Sequence, residues 1–123
     1  MERQDLQART KQFALHIIQL VNFIPNSLAG RVLAQQILRS GTSVGANYRE
    51  ACRARSTAEF ISKTNIGLQE LEETRYWLEL LQESALLNHN QCNHLIDEVN
   101  QLIAIFVTVI KRKKEHTNLN TSS

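Results

Sequence analysis

Residues 39–50 read Arg-Ser-Gly-Thr-Ser-Val-Gly-Ala-Asn-Tyr-Arg-Glu, two glycines, three hydroxyls and an amide framed by arginines. That composition suits a backbone cradle for phosphate, but the spacing does not. A Walker loop needs GxxxxGK[ST], and a dinucleotide fingerprint needs GxGxxG after a strand. Here Gly41 and Gly45 stand four apart and no lysine follows. Other chemistry is equally poorly supplied. Di-metal sites in helical bundles use Glu-x-x-His on two helices, and this chain has no Glu-x-x-His. His89, Cys92 and His94 cluster, yet only His89 and Cys92 lie one helical turn apart, and no second pair completes a zinc pattern. Ser40, Ser43 and Cys52 have no histidine nearby in sequence to activate them. Glu70 and Glu73 could share a proton, although meeting an arginine across a subunit contact is the commoner use of such a pair. Catalysis, a metal, a cofactor and a small-molecule substrate are all unindicated.

Helical phase explains the glycine stretch better. At 100° per residue, Leu33, Ile37, Val44, Tyr48 and Ala51 fall within about 60° of one another, and the arc runs through the glycines without a slip. A loop at 40–45 would have scrambled that register, so one helix covers the whole stretch. Each glycine costs it roughly 1 kcal/mol relative to alanine. Glycines four apart leave one side of a helix bare, where another helix backbone can come close. Opposite the apolar arc, Arg31, Arg39, Arg49 and Arg53 share about 80° and extend for ~33 Å. Their planar forks suit phosphate. A merely solvated face accounts for them as well, and no aromatic interleaves with them to stack bases.

The elements that carry these residues are helices throughout. With 123 residues, Gly 4 and Pro 1, the chain has too few turn residues for a sandwich or barrel and suits one all-α domain. No stretch is long and apolar enough to span a bilayer, and no signal peptide is apparent, so a cytoplasmic protein without membrane contact is expected. Cys52 and Cys92 read as small core residues, not a disulfide. Apolar periodicity and end signals predict helices at 4–24, 28–53, 57–87 and 91–113. Pro25 closes the first, and Asn26 or Ser27 caps the second. Ser56-Thr57-Ala58-Glu59 forms a capping box for the third, and Asn88-His89-Asn90 breaks it. Short connections make this an antiparallel up-down-up-down four-helix bundle over residues 1–114, with a disordered polar tail at 115–123.

Two helices carry more apolar surface than one core needs. The third has a second stripe through Ile66, Trp77, Leu80 and Leu87, and the fourth is apolar nearly all round from Leu102 to Ile110. Self-association would cover that excess. Charge is uneven too. Residues 1–55 hold eight Lys/Arg against three Asp/Glu, residues 56–110 hold two against eight, and Lys111–Lys114 adds four positives. The formal net charge is nonetheless only +2.

The spacing Gln36-x2-Arg39-x3-Ser43-x3-Asn47-x2-Glu50, followed by Leu68-Gln69-Glu70-Leu71-Glu72 and Tyr76-Trp77-Leu78, resembles a bacterial family. Its members are four-helix-bundle proteins first noticed inside intervening sequences of 23S ribosomal RNA genes. The resemblance covers roughly residues 10–112. The usual signature ends Asn-Ile-Ala-Glu-Gly, and here it reads Asn47-Tyr48-Arg49-Glu50-Ala51. The resemblance implies a bundle that assembles into a ring, commonly a pentamer, with no enzymatic activity. Related accessory proteins of diversity-generating retroelements are strongly basic pentamers that bind nucleic acid and a reverse transcriptase. The signature residues carry over as fold or assembly determinants, together with Gly41 and Gly45.

Gln36, Arg39, Ser43, Asn47 and Glu50 share about 80° of the helix beside the apolar stripe, a polar line suited to bonding an adjacent helix or subunit. The expected partners are other copies of the chain, through Ile66, Glu70, Glu73, Trp77 and Leu80, and structured RNA or a ribonucleoprotein. RNA would meet Arg31, Arg39, Arg49, Arg53, Lys111, Arg112, Lys113 and Lys114. A protein–protein adaptor ring is the alternative.

Overall fold

A computed structural model describes residues 1–117 in full and the backbone of 118–122. It contains α1 (Arg3–Val21), α2 (Leu28–Cys52), α3 (Thr57–Glu83) and α4 (His89–Ser122). Each helix packs antiparallel on its sequence neighbours, α4 closes lightly on α1, and among the described residues the diagonal helices meet only through side chains, with no Cα pair within 8 Å. The architecture is the expected four-helix bundle.

The helix ends have local causes. Pro25 excludes helix before it, and α1 stops at Val21, earlier than expected. Ser27 caps α2, its Oγ accepting from the Gly30 N–H at 3.0 Å. Ser56 caps α3 by accepting from the Glu59 N–H at 3.1 Å. Glu59 reaches back to the N–H of Arg55, one residue earlier than the capping box prescribes. The end of α3 differs from expectation. It stops at Glu83, short of Leu87, because Ala85 turns into the left-handed region at φ 62°. The Ala85 N–H then reaches the Gln82 carbonyl, and the Leu87 N–H that of Leu81, both at 3.1 Å. Leu87 is buried from the loop.

The bounds of α4 differ as well. Asn88 and Gln91 cap each other reciprocally at 2.9 Å, so the helix begins two residues before the expected position 91. At its far end it continues past 113 to Ser122. The polar tail expected to be disordered from residue 115 falls on this last stretch, and Ser123 lies outside the described residues. No glycine or proline interrupts 111–122, Lys, Arg and Glu are good helix formers, and the Thr117 hydroxyl donates to the Lys113 carbonyl at 2.9 Å.

The core takes Phe13 and Ile17 from α1, Ile37, Val44 and Tyr48 from α2, Leu71 and Leu78 from α3, and Leu102 and Phe106 from α4. The Tyr48 and Phe106 rings lie 5.6 Å apart at its centre. Thr10, Thr64 and Thr74 are also fully buried, and each donates to the carbonyl four residues earlier, so none leaves an unsatisfied hydroxyl. The helix that approaches the α2 glycines is α1 of the same chain. A Cβ on Gly41 would lie 2.9 and 3.0 Å from the γ carbons of Ile17, and one on Gly45 would lie 3.1 Å from Thr10 Oγ1.

Candidate functional site

Two residue sets that stand on separate helices meet along the groove between α2 and α3. The Arg39 Nη1 donates to Glu70 Oε2 at 3.2 Å, its Nη2 pairs with Glu73 Oε1, and the same nitrogen reaches Gln36 Oε1 at 3.4 Å. Further along, Lys63 Nζ lies 3.0 Å from Glu50 Oε2. Beneath these pairs the hydroxyls of Thr74 and the buried Ser40 lie 2.8 Å apart and share one hydrogen bond, with the Glu70 and Ile37 carbonyls within reach as acceptors. Ser43 and Asn47 bond backward along α2, to the carbonyls of Arg39 and Ser43. The polar line of α2 is thus satisfied within one chain, mostly by α3 and by its own backbone.

Burial raises the Glu70 carboxyl above its ordinary value; Arg39 opposes this and Glu73 adds to it. Half-exposed ion pairs of this kind contribute only about 0–1 kcal/mol each. Their clearer effect is register, since a slip of α3 by one turn would part Lys63 from Glu50 and Thr74 from Ser40, although Glu70 and Glu73, one turn apart, could replace each other at Arg39. Beside the seam lies an apolar strip. Ile66 and Tyr76 are exposed, Trp77 and Leu80 half-buried, the Tyr76 and Trp77 rings stand 5.2 Å apart, and Trp77 Nε1 donates to Glu73 at 3.3 Å.

The arginines of the outer arc stand in different surroundings. Arg31 sits at the start of α2 and donates to Asn26 Oδ1 at 3.3 Å. Arg39 is held in the seam. Arg49 and Arg53 are exposed near the other end of α2, beside a shallow hollow lined also by Gln7 and Cys52. The exposed Leu28, Val32 and Leu38 share the outer side of that helix with Arg31.

Antiparallel order places the end of α2, the end of α4 and the starts of α1 and α3 at the same end of the bundle. Arg49, Arg53 and Lys111–Lys114 gather there. Arg3 and Arg55, which the helical wheel of α2 does not include, join them. Arg3 and Lys113 both lie over the Phe60 ring, 4.9 and 5.3 Å from its centroid, and Arg55 and Lys113 line one small hollow. Glu79, Glu83 and Asp97 stand toward the opposite end. The topology itself is the signal that finds Arg3 and Arg55.

The remaining chemical candidates do not converge. Cys92 is buried, and burial pushes its thiol up. His89 bonds Gln82, and His94 meets His16 edge-on at 5.8 Å. Cys52 is a half-buried free thiol near the Tyr48 hydroxyl, whose own value is raised chiefly by burial and then by Cys52. Among the described residues no group of three His, Cys, Asp or Glu side chains could hold a metal ion. No described helix is long and apolar enough to cross a membrane.

The family described as 23S rRNA-intervening sequence protein matches the chain over residues 2–108. A solved structure from Bacteroides thetaiotaomicron, a protein of unknown function from the S23 ribosomal protein family, is similar at 40% identity with a TM-score of 0.81. The match covers 86% of this chain and 98% of that one. No curated protein matches.

Proposed function

The chain belongs to the 23S rRNA-intervening sequence protein family, and from that premise we propose a cytoplasmic, non-enzymatic homo-oligomer whose basic end binds structured RNA or a ribonucleoprotein. The observation that carries the reading is the gathering of Arg3, Arg49, Arg53, Arg55 and Lys111–Lys114 from four elements at one end. Backbone phosphates reward such clustering with charge-assisted bonds and counterion release. The solved relative's S23 ribosomal protein family label points toward the same class of ligand. Self-association, as a ring of five, would use the strip of Ile66, Tyr76, Trp77 and Leu80 beside the α2/α3 seam.

Fluorescence anisotropy with a labelled 23S ribosomal RNA fragment tests the RNA arm. Arg49→Glu with Arg53→Glu should weaken binding and reduce the salt slope by about 0.9 for each phosphate that is no longer neutralised. Arg31→Glu, about 33 Å away along α2, should change little. Equal affinity in all three proteins at low salt would refute the assignment. Light scattering reads the assembly, and Ile66→Asp with Tyr76→Asp should shift it toward monomer.

One observation favours the adaptor reading instead. Leu28, Val32 and Leu38 are exposed together on the outer side of α2, and an apolar strip of that kind suits a protein partner. A partner that survives nuclease during co-purification would favour the adaptor, and a nuclease-sensitive one the RNA reading.

A further inference from the structure

The bundle is not closed evenly. Where α1 meets α4, Arg9 forks onto Glu98 at 2.8 and 3.3 Å and reaches Gln101 at 2.6 Å. Toward the start of α1 the helices part, and a cleft of about 500 Å³ opens between them. That volume is in the range of small-ligand sites. Its floor is apolar, made by Phe60, Ile105 and Val109 with the ring of Tyr48 beneath, and Ala104 and Thr108 of α4 flank it. Its rim is cationic, from Arg3, Arg112 and Lys113. No carboxylate lines it.

We propose that this cleft binds a soluble single-chain amphipathic anion, a medium-chain alkyl carboxylate, with its chain along α4 and its carboxylate at Arg112 and Lys113. The shape sets the chain. Ala104 to Arg112 spans ~12 Å of helix, room for an alkyl chain of about ten carbons. The charge sets the head group, because an apolar trough whose rim carries Arg3, Arg112 and Lys113 and no carboxylate favours an anion with an apolar body over either a neutral or a cationic amphiphile. A flat nucleobase fits less well. Two cations already sit against Phe60, and the remaining floor is aliphatic apart from Tyr48, which lies 2% exposed in the core. The site does not depend on the RNA reading, although Arg112 and Lys113 would serve both ligands.

Titration of the full-length protein with decanoate, followed by NMR, provides the test. Saturable shifts are expected at Ala104, Ile105, Thr108 and Val109. Shortening the chain to octanoate should weaken binding by up to about fifteenfold, from the loss of two buried methylenes. Arg112→Gln with Lys113→Gln should weaken decanoate about tenfold. Thr108 and Ala104 are both exposed, so Thr108→Trp fills the cleft without touching the core, and Ala104→Phe is a second blocking variant. Both should abolish binding at an unchanged melting temperature. Decanol binding as tightly as decanoate, an absence of saturable shifts, or undiminished decanoate binding in a folded blocking variant would overturn the proposal.

Discussion

Replacing Gly41 by alanine should destabilise the protein, although alanine is the better helix former. Two opposing terms decide the sign. Propensity favours alanine by about 1 kcal/mol inside a helix. Against it, the new Cβ would lie 2.9 and 3.0 Å from both γ carbons of Ile17. Ile17 is fully buried, and with both γ carbons in conflict no rotation about its first side-chain torsion relieves the clash. Overpacking of that kind costs typically about 1–3 kcal/mol, which leaves Gly41→Ala about 1 kcal/mol less stable than the parent. Gly45→Ala meets a milder contact, 3.1 Å from the Thr10 hydroxyl, and should come out near neutral because the two terms are similar. Urea unfolding measures both. With a slope of about 1.5 kcal/mol/M, Gly41→Ala should lower the midpoint by roughly 0.7 M, and Gly45→Ala should leave it nearly unmoved. A double-mutant cycle with Ile17→Ala assigns the cause. The new methyl fills part of the void, so the pair should couple by about 1 kcal/mol, well outside the ~0.5 kcal/mol scatter of independent sites. Parental stability in Gly41→Ala, or strict additivity with Ile17→Ala, would refute close packing of α1 on the glycine face.

Two more outcomes follow from local geometry. Ala85→Gly should stabilise by about 0.5–1 kcal/mol in thermal or urea unfolding, since relief of the left-handed strain exceeds the added entropy of the unfolded chain. For Glu70 the sign runs opposite to that of most carboxylates. Its folded value is raised above the ordinary 4.5, so the folded state binds the proton more tightly, and this group's contribution to stability falls as pH rises through the window just above 4.5. Glu70→Gln should lose that component, which makes the variant gain on the parent as pH rises through and just above 4.5; a stability difference that stays constant through that rise would contradict it.

What was legible in the sequence had causes confined to one helix. The α2 arc from Ile37 to Tyr48 can be read through two glycines because 3.6-residue periodicity does not depend on the neighbouring helix. Ser56 can be read as a cap because its partner is three residues away. Ala85 gives no warning, since alanine favours right-handed helix and only the packing of Leu87 behind it requires the turn. Asn88 reads as a breaker, yet it also caps α4 through Gln91; the same side chain serves both roles, and the helix start moves with the choice. Arg39 falls on both the outer arginine arc and the polar line, and the wheel cannot choose between them. The choice is made by Glu70 and Glu73, more than thirty residues on in α3.

Net charge is a poor guide to what the basic end can bind. The helices alternate in direction, so two positive and two negative helix termini meet at each end and their dipoles largely cancel. The field there comes from side chains. A net charge of +2 averages the cluster of Arg3, Arg49, Arg53, Arg55 and Lys111–Lys114, which its neighbours Glu2, Asp5, Glu50, Glu59 and Glu115 offset only in part, with Glu79, Glu83 and Asp97 toward the far end. The basic cluster and that far acidic group are separated by about 30–37 Å, the length of a bundle helix. At physiological ionic strength the screening length is about 8 Å, so the acidic end is several screening lengths from any ligand at the basic one. An approaching phosphate therefore experiences the local cluster and not the average. It follows that charge reversals at the acidic end should leave RNA affinity nearly unchanged at physiological salt and matter only when ionic strength is lowered toward 10 mM, where the screening length approaches 30 Å.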